Sequence, residues 1–357
     1  MKKLMVSLMA AAFALLSCSS SESEPNQNPN PEPSFIRAAD ISFLPEIEAA
    51  GNAFYKDGQP QDVVTTLAEA GCNYIRLRLW KNPVSGHSTM AEVKAMAARA
   101  RAAGMRVWLT VHFSDTWADP GHQTIPAEWN GFSFDQMKTA VSAYTSDILT
   151  QIQPDIFQIG NETNDGFLWP MGRLTQNESQ YLALTEAVST TIRAEAPNTK
   201  IMLHFAGLTG SDWFFNKTAA IDFDYIGISY YPVWHGKSLS EVKNTIDALG
   251  AAHQKKVIVA ETAYPFTLSW NDWTNNLVGL ENQLIPAFPA TPYGQKSYLN
   301  SLKGTIKTTQ WGIGFAYWGT EWIAWNGNQS TEGSAAENQA LWDFDHNALE
   351  ALDAFAE

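Results

Sequence analysis

The sequence has few cysteines and few basic residues. Only two cysteines, Cys18 and Cys72, occur among 357 residues, which excludes a disulfide-rich scaffold and any multi-cysteine metal site. Lysine and arginine together number 23 against 37 aspartates and glutamates, so the formal net charge is −14. A chain this acidic lacks the positive charge that neutralises phosphates, which argues against nucleic acid as a partner.

Sequence motifs for common cofactors are missing as well. The seven histidines include no His-Glu-x-x-His pair, which argues against a catalytic zinc ion. No glycine-rich phosphate loop follows a predicted strand, so no nucleotide cofactor is expected. Hydrophobic residues make up 45% of the chain and charged residues 17%, a composition typical of a folded domain with a substantial core.

The N-terminus resembles a bacterial lipoprotein signal. Lys2 and Lys3 precede an apolar run from Leu4 to Leu16, which is typical of a secretory signal and too short to span a bilayer. The run ends in Leu-Leu-Ser-Cys, which resembles a lipobox. We therefore expect residues 1–17 to be a lipoprotein signal peptide and Cys18 to carry the lipid. A plain secretory signal with an incidental cysteine is the alternative.

Residues 18–34 are predicted to be a disordered tether. After Cys18 the sequence reads SSSESEPNQNPNPEPS, which offers no apolar residue to bury. The acidic start of this segment suits display on the outer-membrane surface of a bacterial cell envelope. We expect the lipid to be the chain's only membrane contact and the protein to be a monomer, with one folded domain over residues 35–357.

Within that domain, short apolar runs alternate with longer helical patterns, which is typical of β/α units around a parallel sheet. Eight such pairs predict an α/β fold of the (β/α)₈ or TIM-barrel type, in a single domain. The predicted strands are 38–41, 74–79, 106–112, 156–159, 200–205, 225–229, 257–260 and 312–317. The predicted helices are 60–70, 90–103, 134–152, 177–195, 212–221, 239–253, 293–308 and 348–355.

Side-chain alternation orients each predicted strand. In the second strand Ile75, Leu77 and Leu79 are apolar and should face the helices. Arg76 and Arg78 then point into the barrel, where an arginine needs carboxylate partners. The alternative is that both arginines lie at the rim.

Two glutamates at the ends of predicted strands can provide the carboxylate partners that inward arginines need. Glu162 comes after the fourth strand in line with inward Gln158, and Glu261 ends the seventh strand in line with Val257 and Val259, which we expect to point inward. Barrel enzymes build their active sites at this end of the strands. Two opposed carboxylates without a metal suit glycoside hydrolysis. Alternatively, the glutamates only pair with the arginines.

The remaining inward positions suit a sugar-binding cleft. Tyr231 follows the sixth strand and can donate a hydrogen bond to the carboxylate of the seventh, and the third strand contributes His112. On the eighth strand Gly312 and Gly314 should point inward, which leaves room below Trp318. The Trp318 indole can stack on a sugar ring, or it can simply pack at the rim.

Seven motifs, on six of the predicted strands and the loops that follow them, together resemble the endo-β-1,4-galactanases of glycoside hydrolase family 53. In chain order they are NYIRLRLW, VHFSDTWADPGHQTIPAEW, QIGNE, LWPMGR, GISYYP, AETAYP and FAYW. The resemblance covers essentially the whole folded domain. It implies a retaining arabinogalactan endo-β-1,4-galactanase of clan A, which hydrolyses the galactan side chains of pectin by double displacement.

The resemblance also implies roles for individual residues. Glu162 would be the acid/base and Glu261 the nucleophile, with carboxyl groups about 5–5.5 Å apart, and Asn161 would bind the 2-hydroxyl of the sugar in the −1 subsite. The residues implied to support Glu261 are Arg78, His112 and Tyr231. The residues implied to shape the sugar subsites are Asp115, Trp117, His122 and Trp318.

No cofactor is required for this chemistry, although some bacterial members of the family bind calcium in the loops after strands seven and eight. The first of these loops contains Asn271, Asp272 and Asn276, which would be the candidate ligands of a structural Ca²⁺. The alternative is an ordinary turn rich in Asn and Asp.

Two other functions stay open. A different retaining barrel glycosidase, such as a mannanase or a xylanase, would share Glu162 and Glu261 but not the VHFSDTWADPG segment. A surface glycan-binding lipoprotein would hold a polysaccharide without cutting it, but it would have no need of two opposed carboxylates.

Overall fold

The computed structural model describes residues 33–357. The predicted signal peptide 1–17, the lipidation site Cys18 and nearly all of the predicted tether 18–34 lie outside the described residues. Among the helices from residue 33 onward, none combines the length and the apolar character needed to cross a membrane.

Eight parallel strands close into a barrel, which confirms the predicted (β/α)₈ fold. In chain order they are β1 Ile36–Asp40, β2 Tyr74–Leu79, β3 Arg106–Val111, β4 Ile156–Ile159, β5 Lys200–Ala206, β6 Tyr225–Ser229, β7 Lys256–Thr262 and β8 Gly312–Tyr317. Each strand pairs with the next along the chain, and β1 closes the barrel by pairing with both β2 and β8. The carboxyl ends of all eight strands therefore meet at one mouth.

Helices pack around the strands in the order that the sequence predicts. They are α1 Val63–Ala70, α2 Met90–Ala102, α3 Phe134–Gln151, α4 Glu178–Glu195, α5 Ser211–Lys217, α6 Leu239–His253 and α7 Pro292–Lys307. In the eighth position the predicted helix 348–355 is a 3₁₀ segment, Glu350–Phe355. Local signals set several ends: Ser133 and Gln136 form a capping box before α3, and Gly71 ends α1 in the left-handed conformation.

The structure corrects the predicted start of the first helix. Pro60 lies in a two-residue strand, Gln59–Pro60, which pairs with Tyr55–Lys56 as a small hairpin. Helix α1 begins at Val63 because Asp62 caps it, with its carboxylate accepting a hydrogen bond from the backbone N–H of Thr65 at 2.8 Å. Short helices that the sequence analysis did not predict follow β1 and β6, at Leu44–Ala49 and Pro232–His235.

Two apolar cores lie on opposite sides of the barrel wall. Ile75, Leu77 and Leu79 of β2 belong to the outer core, between strands and helices, as the alternation predicts. The inner core fills the barrel below the mouth. Its buried members are Ile36, Ala38, Tyr74, Trp108, Ile156, Met202, Tyr225, Ile258, Ala260 and Ala316.

The predicted orientation of β7 is wrong along most of the strand. Val257 and Val259 face the outer core, whereas Ile258 and Ala260 face the inside. The pairing of β6 with β7 passes from Ile228 opposite Val259 directly to Ser229 opposite Glu261, so Ala260 is an extra residue in a β-bulge. Because the bulge resets the alternation, Glu261 still points into the barrel mouth.

The predicted inward position of Gly312 on β8 is wrong too. A β-carbon at Gly312 would meet the Ile306 side chain at 2.8 Å, on the helix side of the wall, while Ile313 packs against the inner core. Pairing between β7 and β8 is irregular at this point, which shifts the alternation by one residue.

Candidate active site

The barrel mouth opens into a cleft of about 400 Å³. Its walls come from the carboxyl ends of the strands and the loops that follow them, as in barrel enzymes generally. The lining residues are Asp40, Ser42, Arg76, Arg78, Thr110, His112, Trp117, Ala118, Asp119, Pro120, Asn161, Glu162, Ala206, Tyr231, Trp234, His235, Glu261, Leu277 and Trp318.

Glu261 is buried at the bulged end of β7 and accepts a hydrogen bond on each carboxylate oxygen. Arg76 Nη2 donates to Oε1 at 2.7 Å, and the Tyr231 hydroxyl donates to Oε2 at 2.9 Å. Burial raises the pKa of Glu261, and the charge of Arg76 with the hydrogen bond from Tyr231 limits that rise. The predicted contact between Tyr231 and this carboxylate is present.

Arg76 joins Glu261 to a second buried carboxylate. Its Nη1 donates to Asp40 Oδ2 at 2.6 Å, and both side chains are 2% exposed or less. Asp40 in turn accepts hydrogen bonds on Oδ1 from the backbone N–H and the hydroxyl of Ser42. One guanidinium therefore bonds to two carboxylates and links the ends of β1, β2 and β7.

Arg78, the arginine predicted to support the nucleophile, makes no hydrogen bond or ion pair with Glu261 among the described residues. Its guanidinium carbon lies 4.6, 4.3 and 4.1 Å from the ring centres of Phe43, Trp80 and Trp117. Its Nε donates to Ser88 Oγ at 3.0 Å. Both arginines point inward, but Arg78 is two residues further along β2, about 6.5 Å nearer the mouth, where aromatic rings surround it.

Glu162 differs from Glu261 in its surroundings. It is half-buried, its backbone has a left-handed φ of 47°, and its Oε1 accepts a hydrogen bond from the Ser229 hydroxyl at 2.6 Å. Burial and the neighbouring charge of Glu261 raise the pKa of Glu162 to about 8. One carboxylate oxygen of Glu162 lies within 4.8 Å of one of Glu261. Within this pair the proton therefore resides on Glu162 and the charge on Glu261.

Asn161 lies next to Glu162 in the chain, and both the oxygen and the nitrogen of its side-chain amide are held by hydrogen bonds. Its Nδ2 donates to the carbonyl of Ala118 at 2.9 Å, and its Oδ1 accepts from Arg76 Nη2 at 3.1 Å. Its position in the cleft next to Glu162 agrees with the predicted contact to a bound sugar.

The predicted aromatic residues Trp117 and Trp318 both line the cleft, with ring centres 6.4 Å apart. His112 is buried beside them, and its Nδ1 accepts hydrogen bonds from Trp80 Nε1 and the backbone N–H of Ala118. Burial and the two nearby arginines hold the pKa of His112 well below its usual value, so the ring is neutral. Among the described hydrogen bonds none joins His112 to Glu261.

Two predicted subsite residues lie away from the cleft. The Asp115 carboxylate accepts hydrogen bonds from the backbone N–H groups of Asn82 and Ala127, at 2.9 and 2.8 Å, and so holds two loops together. The His122 side chain is 76% exposed and contacts Asp119. Neither Asp115 nor His122 is among the residues that line the cleft.

The structure brings to the site several groups that were not predicted from the sequence. Asp40 ends β1 beside Arg76 in step with inward Ala38, so alternation could have found it. His204 points inward from β5 in step with Met202, so alternation could have found it. Trp234 is 55% exposed, lines the cleft and packs edge-on against Tyr231, in a short helix that carries no strong sequence signal.

The candidate calcium ligands do not form an ion site. Asp272 is buried, and its two carboxylate oxygens accept hydrogen bonds from the backbone N–H groups of Thr274 and Ser334, at 2.6 and 3.1 Å. The backbone N–H groups of Asn271 and Asp272 donate to Glu337. The side-chain amide of Asn276 donates to a backbone carbonyl. Asp272 is the only carboxylate among the three candidates, and each of its oxygens already accepts a backbone N–H, so this donor set is a poor match to Ca²⁺, which prefers several charged oxygens, and we derive no role for calcium.

A (β/α)₈ barrel with two carboxyl groups at the carboxyl ends of β4 and β7, one favoured in the protonated form and the other in the ionised form, is typical of barrel glycosidases. The sequence model of Glycosyl hydrolase family 53 matches residues 36–355. The chain belongs to this family and is a glycoside hydrolase, which confirms the resemblance found in the sequence.

Known proteins similar to the chain support this assignment. An arabinogalactan endo-β-1,4-galactanase from Cellvibrio japonicus is 33% identical over 343 residues, which is 89% of this chain and 89% of that protein. The catalytic domain of a family 53 enzyme from Ignisphaera aggregans is 34% identical, with a TM-score of 0.85 over 93% of this chain and 98% of that one. A solved fungal β-1,4-galactanase is 30% identical, with a TM-score of 0.78 over 90% and 98% of the two chains.

We predict that Arg76→Met destabilises the fold by about 3–5 kcal/mol at pH 8, because it leaves Asp40 and Glu261 buried without a cation. The loss should be smaller at pH 5. Without Arg76 the pKa of Glu261 rises further, and the folded state is then stabilised as the pH falls and this carboxyl takes up a proton. Urea unfolding of the purified protein at both pH values measures the difference.

Lys217→Met is the matched control, because Lys217 forms an exposed ion pair with Glu178. It should cost about 1 kcal/mol or less at either pH. Equal losses in the two variants would contradict the structural importance of the Arg76 bridge.

Proposed function

We propose that this enzyme is a retaining endo-β-1,4-galactanase that hydrolyses β-1,4-galactan. The observation that carries the proposal is the pair formed by Glu162 and Glu261, whose oxygens approach within 4.8 Å and whose surroundings stabilise opposite protonation states. The choice of galactan is supported by the galactanases of Cellvibrio japonicus and Bacillus subtilis, which are 33% and 30% identical to the chain.

In the first step the ionised carboxylate of Glu261 attacks the anomeric carbon of the sugar in the −1 subsite. The bond to the glycosidic oxygen breaks, and that oxygen takes the proton of Glu162 as it leaves. The raised pKa of Glu162 keeps this proton available at neutral pH. Arg76 and Tyr231 hold Glu261 in place for attack through their hydrogen bonds to its two oxygens.

In the second step Glu162, now ionised, accepts a proton from water, and the water oxygen attacks the anomeric carbon. The bond to Glu261 breaks and the sugar leaves with its original configuration. Inverting enzymes separate their carboxyl groups by about 6.5–9.5 Å to admit water directly, and the close approach of Glu162 and Glu261 supports retention. The two carboxyl groups supply both the proton and the nucleophile, so the reaction needs no cofactor.

The walls of the cleft suit a neutral sugar chain. Trp117 and Trp318 offer apolar faces on which the C–H face of a galactose ring can stack, and Trp234 offers a third near Tyr231. Asn161, held by Ala118 and Arg76, would bind the 2-hydroxyl of the −1 sugar, a contact that strengthens in the transition state.

Proton NMR of fresh products tests substrate and stereochemistry together. When the protein digests linear β-1,4-galactan, we expect β-anomeric galacto-oligosaccharides to appear first and to mutarotate later. Glu261→Gln should abolish hydrolysis, because the amide is a poor nucleophile. Products that are initially α-anomeric would contradict retention, and cleavage of mannan or xylan in place of galactan would contradict the proposed substrate.

We further propose that the enzyme is a lipoprotein, anchored through Cys18 on the outer surface of a bacterial cell envelope, where long galactan chains are accessible. The support is the signal-like segment 1–17, the lipobox-like Leu-Leu-Ser-Cys, and the polar segment 18–34.

Labelling with a radioactive fatty acid in a bacterial host tests the anchor. We expect the full chain to incorporate label and to sediment with membranes, and Cys18→Ala to lose both properties because the lipobox-like segment then has no thiol to be acylated. Cys72→Ala is the control, since its thiol is buried in the folded domain. A Cys18→Ala protein that stays labelled and membrane-bound would contradict the anchor, and resistance of the full chain to protease on intact cells would contradict surface display.

A further inference from the structure

A buried chain of hydrogen bonds runs behind Glu162. It consists of His204 on β5 and Ser229 at the end of β6, both fully buried, and it ends on Glu162 Oε1. We propose that His204 and Ser229 are positioning residues that confine the acid proton of Glu162 to Oε2, the oxygen available to the substrate. The proposal rests on the proposed function, since it concerns the acid of that reaction.

Gln158 determines which groups donate and which accept along this chain of hydrogen bonds. The indole Nε1 of Trp108, which can only donate, bonds to Gln158 Oε1 at 3.1 Å. The amide of Gln158 is thereby oriented, and its Nε2 faces His204 Nδ1 at 2.9 Å. Gln158 is therefore a donor to His204.

A second donor fixes the tautomer of His204. The backbone N–H of Glu162 itself points at His204 Nδ1, at 3.2 Å. With two donors aimed at it, Nδ1 must be unprotonated. Burial and the charge of Arg76 hold the pKa of His204 well below its usual value, so the ring is neutral and its single proton is on Nε2.

The proton on His204 Nε2 determines the orientation of the Ser229 hydroxyl. Nε2 donates to Ser229 Oγ at 2.9 Å, and the hydroxyl hydrogen is then directed to Glu162 Oε1 at 2.6 Å. No other acceptor for this hydroxyl is present among residues 33–357. A proton on Oε1 would face the hydroxyl hydrogen of Ser229, so Oε1 is an acceptor in both protonation states of Glu162.

This arrangement leaves Oε2 as the only oxygen that can carry the acid proton. Oε2 has no hydrogen-bond partner among the described residues, and Glu162 lines the cleft. The same contacts serve the second step, because Oε2 can then accept the proton of water without any rotation of Ser229. The hydrogen bond from Ser229 also favours the ionised form of Glu162.

The test compares two substrates with different needs for an acid, in the full-length protein. Galactan has a poor leaving group and requires protonation, whereas 2,4-dinitrophenyl β-galactobioside does not. The variants are Ser229→Ala, which removes the donor, and Ser229→Cys, which retains a weaker one. The control is Ser189→Ala, which removes another buried hydroxyl hydrogen bond, from α4 to the carbonyl of Asp222.

For Ser229→Ala we expect kcat/KM on galactan to fall about tenfold, part of the 10²–10⁴ that general acid catalysis supplies. On the dinitrophenyl substrate kcat/KM should stay within about threefold of the wild type. In the pH profile of kcat/KM on galactan, the alkaline limb should move to higher pH, because loss of the Ser229 donor raises the pKa of Glu162. The kcat/KM of Ser229→Cys on galactan should lie between the values of the wild type and Ser229→Ala. Ser189→Ala should change neither kcat/KM on galactan nor the position of the alkaline limb.

A merely structural role would lower kcat/KM on both substrates equally and leave the alkaline limb in place, and either result would overturn the proposal. Unchanged activity of Ser229→Ala on galactan would also overturn it. A wild-type enzyme that failed to cleave galactan would instead contradict the proposed function, so the two failures are distinguishable.

Discussion

The site depends on one buried guanidinium. Arg76 is 1% exposed and bonds to Asp40 and Glu261 at 2.6 and 2.7 Å. Burying three ionised groups costs several kcal/mol for each ion, and the cost is recovered only if the geometry is good and the remaining polar atoms are satisfied. Ser42 and Tyr231 satisfy the outer oxygens of the two carboxylates, whereas Arg76 Nε has no hydrogen-bond partner among the described residues. The carboxyl ends of β1, β2 and β7 are thereby held in one arrangement, and Glu261 is held with them.

The same bridge explains why the two glutamates differ. Glu261 has a cation on one oxygen and a phenol hydroxyl on the other, while Glu162 has a single hydroxyl and faces the charge of Glu261. The asymmetry keeps the proton on Glu162. A glycosidase that acts by double displacement needs this division of roles, with one carboxyl acidic in the first step and the other nucleophilic.

The sequence predicted the barrel, the number of β/α pairs and the positions of both glutamates, because period-two and period-3.6 patterns survive in buried strands and amphipathic helices. Alternation predicted the wrong inward-facing residues on β7, where Ala260 forms a β-bulge that no local sequence pattern predicts. Glu261 was nevertheless placed correctly, because the bulge reverses the error. Alternation also shows which face a residue occupies but not its depth, so it does not distinguish Arg76, which bonds to Glu261, from Arg78, which lies nearer the mouth. Hydrogen-bond chains such as His204 to Ser229 depend on three strands at once and have no signal in any one of them.

The central claim is that Glu261 forms a covalent bond to the sugar. It is tested most directly by incubation with a 2-deoxy-2-fluoro-β-galactobiosyl fluoride, which slows the second step, followed by mass spectrometry of peptic fragments. We expect one fluorinated disaccharide per protein, attached to the peptide that contains Glu261. A label on the peptide that contains Glu162, or an active enzyme that never accumulates a labelled form, would contradict it.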